Sequence, residues 1–270
     1  MKESRVAILY GHGINCDRET LFAMEQAVAL REAEERVKVE RVHTNDFIDS
    51  PRNLRDYSML IIPGGFLHAD DISAGQILAG KLKTHLAKEI DLFIDEGKLI
   101  LGICNGFQVL SKYPVFGSER TFTLTANDCG RFQDRWVNLR VNPDSPCIYL
   151  RGIDQIPLPV RHAEGKFVAD RKTLDDLRSS GRIALQYADG NGNLAQREFP
   201  ANPNGSLMDV AGVCDSTGRI FGLMPHPEAF VSPFHYPGWP SARRGAIEVP
   251  QNGAGIKIFT NAVDYLLEEM

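Results

Sequence analysis

Several features that mark other classes of protein are missing from this 270-residue sequence. No apolar run is long enough to cross a membrane. The five cysteines include no pair closer than Cys129 and Cys147, which indicates neither a disulfide framework nor a Cys-x-x-Cys metal site, so reduced thiols are expected. A formal charge of -5 offers no basic surface for nucleic acid. We therefore expect no membrane or nucleic-acid partner and a cytoplasmic location.

Motifs for phosphates and for targeting are missing as well. Neither G-x-x-x-x-G-K-[ST] nor G-x-G-x-x-G occurs, so we predict no nucleotide site in this chain. The first five residues carry charges but no long apolar stretch follows them, which is unlike a signal peptide. We also predict no metal site: His162 and Glu164 could form a metal half-site, but two ligands do not make a zinc centre.

The first half of the chain alternates apolar strands with helical stripes. Strands are predicted at residues 6–10, 37–43, 59–62 and 98–103, and helical periodicity covers 21–28 and 72–96. Continuous apolar strands separated by helices are typical of a parallel sheet that is covered on both faces. In such sheets active sites lie at the carboxyl ends of the strands, so the segments that follow these strands are expected to converge.

The second half reads as strands joined by Gly-, Asn- and Asp-rich turns. Strands are predicted at residues 121–124, 135–141, 158–162 and 182–188, and residues 209–214 and 219–224 form a predicted hairpin before a C-terminal helix. We predict a three-layer α/β fold: a mostly parallel central sheet with helices on both faces, plus an antiparallel extension from the second half. No linker divides the chain, so residues 1–270 are predicted to form one domain.

The most informative segment is the end of the fourth predicted strand. Gly102 and Gly106 flank Cys104 at two residues on either side, and a helix-compatible stretch follows. This is the pattern of a nucleophile elbow, a strained strand-to-helix turn that presents a reactive side chain. A helix start also favours thiolate over thiol. We predict that Cys104 is a nucleophile, whereas an isolated cysteine is more often a buried small apolar residue.

A cysteine nucleophile needs a base and a group that orients it. Two prolines flank His226 and favour an extended backbone, in which His226 and Glu228 share one face. We predict that His226 is the base and that Glu228 orients it. His162 and Glu164 have the same spacing and are a rival pair, for which a supporting or interface role is favoured. Cys16 is a second thiol but lacks the elbow pattern.

Substrate contacts are predicted on both sides of Cys104. Gln108 lies one helical turn beyond it, where its amide can face a polar substrate. Gly64 and Gly65 end the third strand, and glycines let backbone N–H groups approach a ligand. We predict an oxyanion hole from the N–H groups of Gly65 and Asn105. Gly64 and Phe66 are predicted to line the substrate site, although residues 63–66 also fit an ordinary strand-to-helix turn.

Five segments resemble class I glutamine amidotransferases and, within that class, the glutaminase subunits of phosphoribosylformylglycinamidine synthase from purine biosynthesis: residues 15–17, 62–66, 102–108, 159–165 and 222–228. The resemblance implies a Cys104–His226–Glu228 triad that releases ammonia from glutamine. It implies a large synthetase subunit as partner, and a possible small accessory subunit. It also implies that ATP and Mg are bound by the partner, with no cofactor in this chain.

One segment is longer than the resemblance leads us to expect. Residues 230–255 contain Phe234, His235, Tyr236, Trp239, Arg243 and Arg244. Aromatic and arginine side chains concentrate at protein interfaces, so a partner-facing insertion and a solvated loop are both open. Two other functions also remain at this stage. One is a cysteine hydrolase or peptidase on a related three-layer fold. The other is a non-catalytic subunit that keeps the scaffold.

Overall fold

The computed structural model describes residues 3–66, 74–116, 122–239 and 251–269. The strands are β1 (Ser4–Tyr10), β2 (Val37–His43), β3 (Met59–Ile62), β4 (Leu99–Ile103), β5 (Phe122–Thr125), β6 (Gln133–Val141), β7 (Gln155–His162), β8 (Lys166–Ala169), β9 (Ile183–Ala188), β10 (Val210–Cys214) and β11 (Ile220–Leu223). The helices are α1 (Asp17–Ala29), α2 (Thr44–Asp49), α3 (Gln76–His85), α4 (Ala87–Asp95), α5 (Asn105–Leu110), α6 (Arg171–Ser179) and α7 (Ile256–Glu269).

Nine of these strands form one mixed sheet in the order β2-β1-β3-β4-β11-β10-β9-β6-β7. The pairs from β2 to β11 are parallel, and the pairs from β11 to β7 are antiparallel. β5 and β8 form a separate antiparallel pair. The predicted parallel sheet with an antiparallel extension is confirmed, and β11 is the strand that joins its two parts.

Chain direction explains why helices cover both faces of the parallel part. The crossover from β1 to β2 moves towards one edge, and the crossover from β2 to β3 moves back. Right-handed crossovers that run in opposite directions place α1 and α2 on opposite faces. Accordingly, α1 packs against α7, whereas α3 packs against α2, α4 and α5. The described helices therefore form the two outer layers that the sequence predicts.

The long helical stripe predicted at residues 72–96 is two helices. Leu86 leaves helical geometry (φ -119°, ψ 2°) between α3 and α4. Its side chain is buried, as are those of Leu82 in α3 and Ile90 in α4. The apolar stripe therefore continues across the break, because both helices face the same side of the sheet. Residues 72 and 73 of the predicted helix, and residue 121 of the predicted fifth strand, lie outside the described ranges.

Three of these elements were not predicted: α2, β8 and α6. Helix α6 has few apolar residues, mainly Leu174 and Leu177, so its periodicity is weak. Its start had a signal nonetheless, because Asp170 caps the helix by accepting a hydrogen bond from the backbone N–H of Thr173 at 2.7 Å. Among the described residues, no helix has both the length and the apolar character needed to cross a membrane.

The 230–255 segment is described only at its two ends. The indole of Trp136 on β6 contacts the rings of Phe230 and Tyr236, at 5.0 and 5.1 Å between ring centroids. Phe234 is 63% exposed and contacts Trp239. Arg243 and Arg244 lie outside the described residues. The partner-facing role of this segment stays a prediction, as does the single-domain assignment.

Candidate functional site

Cys104 lies at a strained turn between β4 and α5, as the elbow pattern predicts. Its backbone has φ 51° and ψ -104°, a conformation that costs a non-glycine residue about 1–3 kcal/mol. Both flanking glycines are required because their surroundings leave no room for a Cβ atom. A Cβ at Gly106 would overlap the carbonyl oxygen of Ile62, and one at Gly102 would lie 2.6 Å from the Leu110 side chain. Cys104 itself is 4% exposed, so the site around it is narrow.

His226 reaches the same place from the neighbouring strand. β11 pairs in parallel with β4, so the two strands end side by side. The backbone N–H of His226 donates to the carbonyl of Pro159 at 2.8 Å, which fixes this segment against β7. Nδ1 of His226 is 2.5 Å from Oε1 of Glu228, and both side chains are buried. The predicted pairing within His226-x-Glu228 is therefore present.

The electrostatics of His226 suit an acid–base role. Burial alone lowers its pKa, but the negative charges of Glu228 and Cys104 outweigh burial and raise the pKa of His226 well above its ordinary value. Nε2 is buried and makes no hydrogen bond to any described residue. Because Glu228 occupies Nδ1, Nε2 is the ring atom left to exchange a proton with a reacting group.

The Gly64–Gly65 segment is held by the loop that follows β1. Phe66 N–H donates to the Gly13 carbonyl at 2.8 Å, and Asn15 N–H donates to the Gly64 carbonyl at 3.4 Å. These bonds flank Gly65 and do not use its N–H. The φ of Gly65 is 154°, and a Cβ there would collide with Gly13. Only glycine fits, so the backbone N–H of Gly65 is presented without side-chain obstruction.

The three predicted parts of the site meet beneath Gly64. A Cβ at Gly64 would lie 2.8 Å from Cε1 of His226 and 3.4 Å from Cβ of Cys104. Gly64 therefore sits directly over the nucleophile and the base. The predicted oxyanion donors flank this point, since Gly65 is the next residue and Asn105 opens α5 behind Cys104. Convergence at the carboxyl ends of the parallel strands is confirmed.

Gln108 has partners that its sequence position did not indicate. Its Nε2 donates to the backbone carbonyl of Glu164 at 2.5 Å, and its Oε1 accepts from Nδ2 of Asn105 at 2.7 Å. Gln108 is 3% exposed. In this state its amide therefore ties α5 to the turn after β7. Substrate binding by Gln108 stays a prediction that requires this tie to open.

The carboxyl end of β7, which leads into the turn at residues 163–165, lies against the nucleophile. The thiol of Cys104 donates to the carbonyl of Arg161 at 3.6 Å. Asn127 clamps this turn: its Oδ1 accepts from Gly165 N–H at 3.0 Å and lies 3.2 Å from Nδ1 of His162, and its Nδ2 donates to the His162 carbonyl at 2.9 Å. Burial, and then the charge of His226, lower the pKa of His162 to about 3, so this ring is a neutral structural group.

A second set of buried amides supports the same turn and was missed in the sequence. Nδ2 of Asn204 donates to the Gly165 carbonyl at 2.9 Å and to the Tyr187 hydroxyl at 3.0 Å. The hydroxyl of Ser206 accepts from Phe167 N–H at 3.0 Å. Asn202-Pro203-Asn204-Gly205 looks like an ordinary turn signal, so the sequence alone gives no reason to place it under the site.

Cys16 lies in the site, contrary to its low rank in the sequence analysis. Its Sγ would contact a Cβ at Gly64 at 3.4 Å, the same distance as Cβ of Cys104. Sγ of Cys16, a ring nitrogen of His226 and a carboxylate oxygen of Glu228 lie within 4.8 Å of one another. Burial raises the pKa of the Cys16 thiol, although interaction with His226 opposes it. Cys16 is thus a second thiol beside the predicted base.

Phe66 marks the rim of the site. It is 48% exposed, and its ring lies 6.1 Å from that of Phe132, which is 46% exposed. Residues 67–73, which follow it, lie outside the described ranges. Contact between Phe66 and substrate stays a prediction.

Comparison with known proteins identifies the family. A family model of the CobB/CobQ-like glutamine amidotransferase domain matches residues 3–266. The chain is 40% identical over 272 residues to the phosphoribosylformylglycinamidine synthase subunit PurQ of Methanococcus maripaludis strain C7, covering 97% of each protein. It is 40% identical over 269 residues to the PurQ subunit of Dehalococcoides mccartyi, covering 98% of each. The chain belongs to the PurQ family.

Solved structures agree with membership of the PurQ family. The chain matches a chain of the PurLQS structure from Thermotoga maritima with a TM-score of 0.68 and 28% identity, over 98% of this chain and 99% of that one. A glutamine amidotransferase from the same organism matches with a TM-score of 0.58 and 17% identity, over the full length of both, which supports the fold. The glutamine amidotransferase family model, which matches residues 3–266, covers the whole of the site described above.

Proposed function

We propose that Cys104, His226 and Glu228 hydrolyse glutamine, and that this chain passes the ammonia to a PurL-type synthetase subunit. As a member of the PurQ family, the chain is the glutaminase component of phosphoribosylformylglycinamidine synthase, an ATP-dependent enzyme of purine biosynthesis. The observation that carries the residue assignment is the strained Cys104 turn, which lies beside a buried His226–Glu228 pair.

In the first step the Cys104 thiolate attacks the side-chain carboxamide carbon of glutamine. A C–S bond forms, and the carbonyl oxygen becomes an oxyanion between the N–H groups of Gly65 and Asn105. A backbone donor in such a hole contributes roughly 3 kcal/mol to transition-state stabilisation. The rigid Gly65 segment supports this role, because its donor needs no rearrangement as charge develops.

In the second step Nε2 of His226 gives its proton to the departing nitrogen. The C–N bond breaks, ammonia leaves, and a glutamyl thioester remains on Cys104. His226, now neutral, takes a proton from water, and the resulting hydroxide releases glutamate and regenerates the thiolate–imidazolium pair. Glu228 holds the ring through Nδ1 and stabilises its protonated form.

Substrate contacts come from the rim and floor of the site. Gly64 and Phe66 lie on the segment that covers Cys104, and they contact glutamine as it enters. Gln108 joins them once its amide leaves the Glu164 carbonyl. Docking of the synthetase subunit supplies such a rearrangement, as closure steps do in many enzymes.

The rest of the synthesis takes place in the partner. ATP and Mg bind to the large subunit, and this chain needs no cofactor of its own. Ammonia must travel by a sheltered path, because protonation in water makes it non-nucleophilic. The PurLQS assembly from Thermotoga maritima supports a large subunit and a small accessory subunit as partners. The location that fits this pathway is the cytoplasm. A peptidase or other hydrolase is not favoured, because the full-length relatives are PurQ subunits.

The test is a Cys104→Ala variant in the reconstituted complex. Glutamine-dependent synthesis is expected to fall to background, while synthesis driven by ammonium salts continues, because the partner's own site is untouched. Cys129→Ser is the matched control, since Cys129 is an exposed thiol. Glutaminase activity that persists in Cys104→Ala rejects the assignment of the nucleophile.

A further inference from the structure

Two thiols and one imidazole nitrogen share the space beneath Gly64. Cys16 approaches from the loop after β1 and Cys104 from the elbow. Sγ of Cys16 and Cβ of Cys104 would each lie 3.4 Å from a Cβ at Gly64, and both thiols interact with the ring of His226. Cys16, His226 and Glu228 bring possible ligand atoms to within 4.8 Å of one another. Hydrolysis of glutamine as proposed above needs only one of the thiols.

The orientation of His226 adds an independent indication. Its Nδ1 is held by Glu228, and its buried Nε2 has no hydrogen-bond partner among the described residues. A carboxylate that fixes one ring nitrogen while the other faces a metal is the usual arrangement of a histidine ligand. Cys16 is also available, because its side chain does not cap α1, and its Sγ lies against the Asn15 side chain at 3.4 Å and against the ring of His226.

We propose that Cys16, Cys104 and Nε2 of His226 form a binding site for a thiophilic divalent cation such as Zn²⁺, and that occupancy switches the glutaminase off. Two thiolates and an imidazole are the ligands that zinc prefers, and three protein ligands leave a fourth position for water. On binding, the Cys16 thiol and the protonated ring of His226 each release one proton to solvent. The Cys16 and Cys104 thiolates and the freed lone pair on Nε2 of His226 then hold the metal. The inhibitory part rests on the proposed function, because the metal removes the nucleophile and the base together.

The inhibition test uses the complex with its synthetase subunits. Zn²⁺ is titrated into glutamine-dependent and ammonia-dependent synthesis, and each variant is normalised to its own zinc-free rate. Zn²⁺ should inhibit the glutamine-dependent reaction alone, and a chelator should restore it. Cys16→Ser should raise the inhibitory zinc concentration by at least about tenfold, because loss of a ligand costs no less than loss of its supporting contacts. Cys129→Ser should behave like wild type.

Direct binding is measured on the full chain with Co²⁺ as a spectroscopic probe. Thiolate-to-cobalt charge-transfer absorption should appear in wild type, weaken in Cys16→Ser or Cys16→Ala, and weaken again when Cys104 is also replaced. Absence of this absorption in wild type, or equal zinc inhibition of wild type and Cys16→Ser, overturns the proposal. If the chain bound Co²⁺ through both thiols but showed no glutaminase activity, the proposed function would fail while the metal site stood.

Discussion

His226-x-Glu228 and His162-x-Glu164 have the same spacing, and the structure uses them in opposite ways. Glu228 turns back onto its histidine at 2.5 Å. Glu164 turns away, and its carboxylate accepts from the backbone N–H of Ala74 at 3.3 Å. His162 instead lies against the amide of Asn127. Identical spacing therefore does not determine which neighbour a histidine receives.

The side chain that contacts each histidine determines whether its ring is charged. Both histidines are buried, and burial disfavours the charged form of each. A carboxylate compensates His226, whereas an amide carries no net charge to compensate His162. The pKa of His226 is therefore raised above its ordinary value, and that of His162 falls to about 3. One histidine exchanges protons, and the other is a neutral part of the turn that supports Cys104.

The two glutamates give the sharpest test of this contrast. Glu228→Gln should reduce glutaminase turnover by about 10³- to 10⁴-fold, because an amide neither fixes the productive tautomer nor stabilises the imidazolium. Glu164→Gln is the matched control and should change turnover by only a few-fold, since an amide oxygen still accepts from Ala74. Ammonia release from the assembled complex measures both. Equal losses in the two variants would show that the pairs are equivalent.

The pH profile of the residual activity should also move. Protonated His226 is needed to expel ammonia, and the charge of Glu228 helps to raise the pKa of this ring. In Glu228→Gln the alkaline limb of kcat/KM should shift to lower pH, by roughly one unit or more. Rates of ammonia release between pH 5 and 10 measure the shift. If the alkaline limb does not shift, it reports the titration of a group other than His226.

The neutral His162 ring should make the stability of the folded protein depend on pH. The folded ring stays neutral down to about pH 3, whereas an unfolded histidine takes a proton near pH 6.5. Folding is therefore opposed increasingly as pH falls through 6.5 towards 3. The free energy of unfolding of wild type, relative to that of His162→Gln, should fall by about 2 kcal/mol between pH 7 and pH 5, because only wild type has this histidine. This difference is called the gap below.

Urea unfolding of the isolated chain at the two pH values measures this gap. His235→Gln serves as control, because that side chain is exposed. A gap that is constant with pH would mean that the pKa of His162 is the same in the folded and unfolded states.

The smallest expected effect is on the pKa of His162, when it is given a carboxylate partner like that of His226. Asn127→Asp gives His162 a carboxylate partner and should raise the pKa of His162 by about one unit or more from its value near 3. The change also removes the Nδ2 bond to the His162 carbonyl. Titration of the His162 ring by NMR measures the pKa, with Asn127→Ala as the uncharged control. An unchanged pKa would show that burial alone sets it.

Local patterns predicted much of the site. The elbow could be predicted because Gly102, Cys104 and Gly106 are spaced two residues apart in sequence, and the crowding around them follows from the turn itself. His226 and Glu228 were readable because prolines fix the backbone around them. The parallel order of the first strands followed from continuous apolar runs separated by helices.

Contacts between distant segments were beyond such reasoning. Cys16 meets His226 because one loop pairs with the Gly65 segment, a bridge between Ile14 and Gly65 that no local pattern signals. The amide of Gln108 finds the Glu164 carbonyl for a similar reason, since β7 must first be placed beside α5. Register between distant strands sets these pairs, and periodicity does not encode register.

The pairing of β4 with β11 has a consequence for how the enzyme comes into being. More than a hundred residues separate the two strands, yet the nucleophile and its base depend on their lying side by side. When a growing chain has emerged from the ribosome only as far as Cys104, the imidazole of His226 has not yet been synthesised. The Cys104 thiol then has no base beside it. The nascent polypeptide therefore cannot hydrolyse glutamine, and the reactive pair assembles only after β11 and His226 have been synthesised.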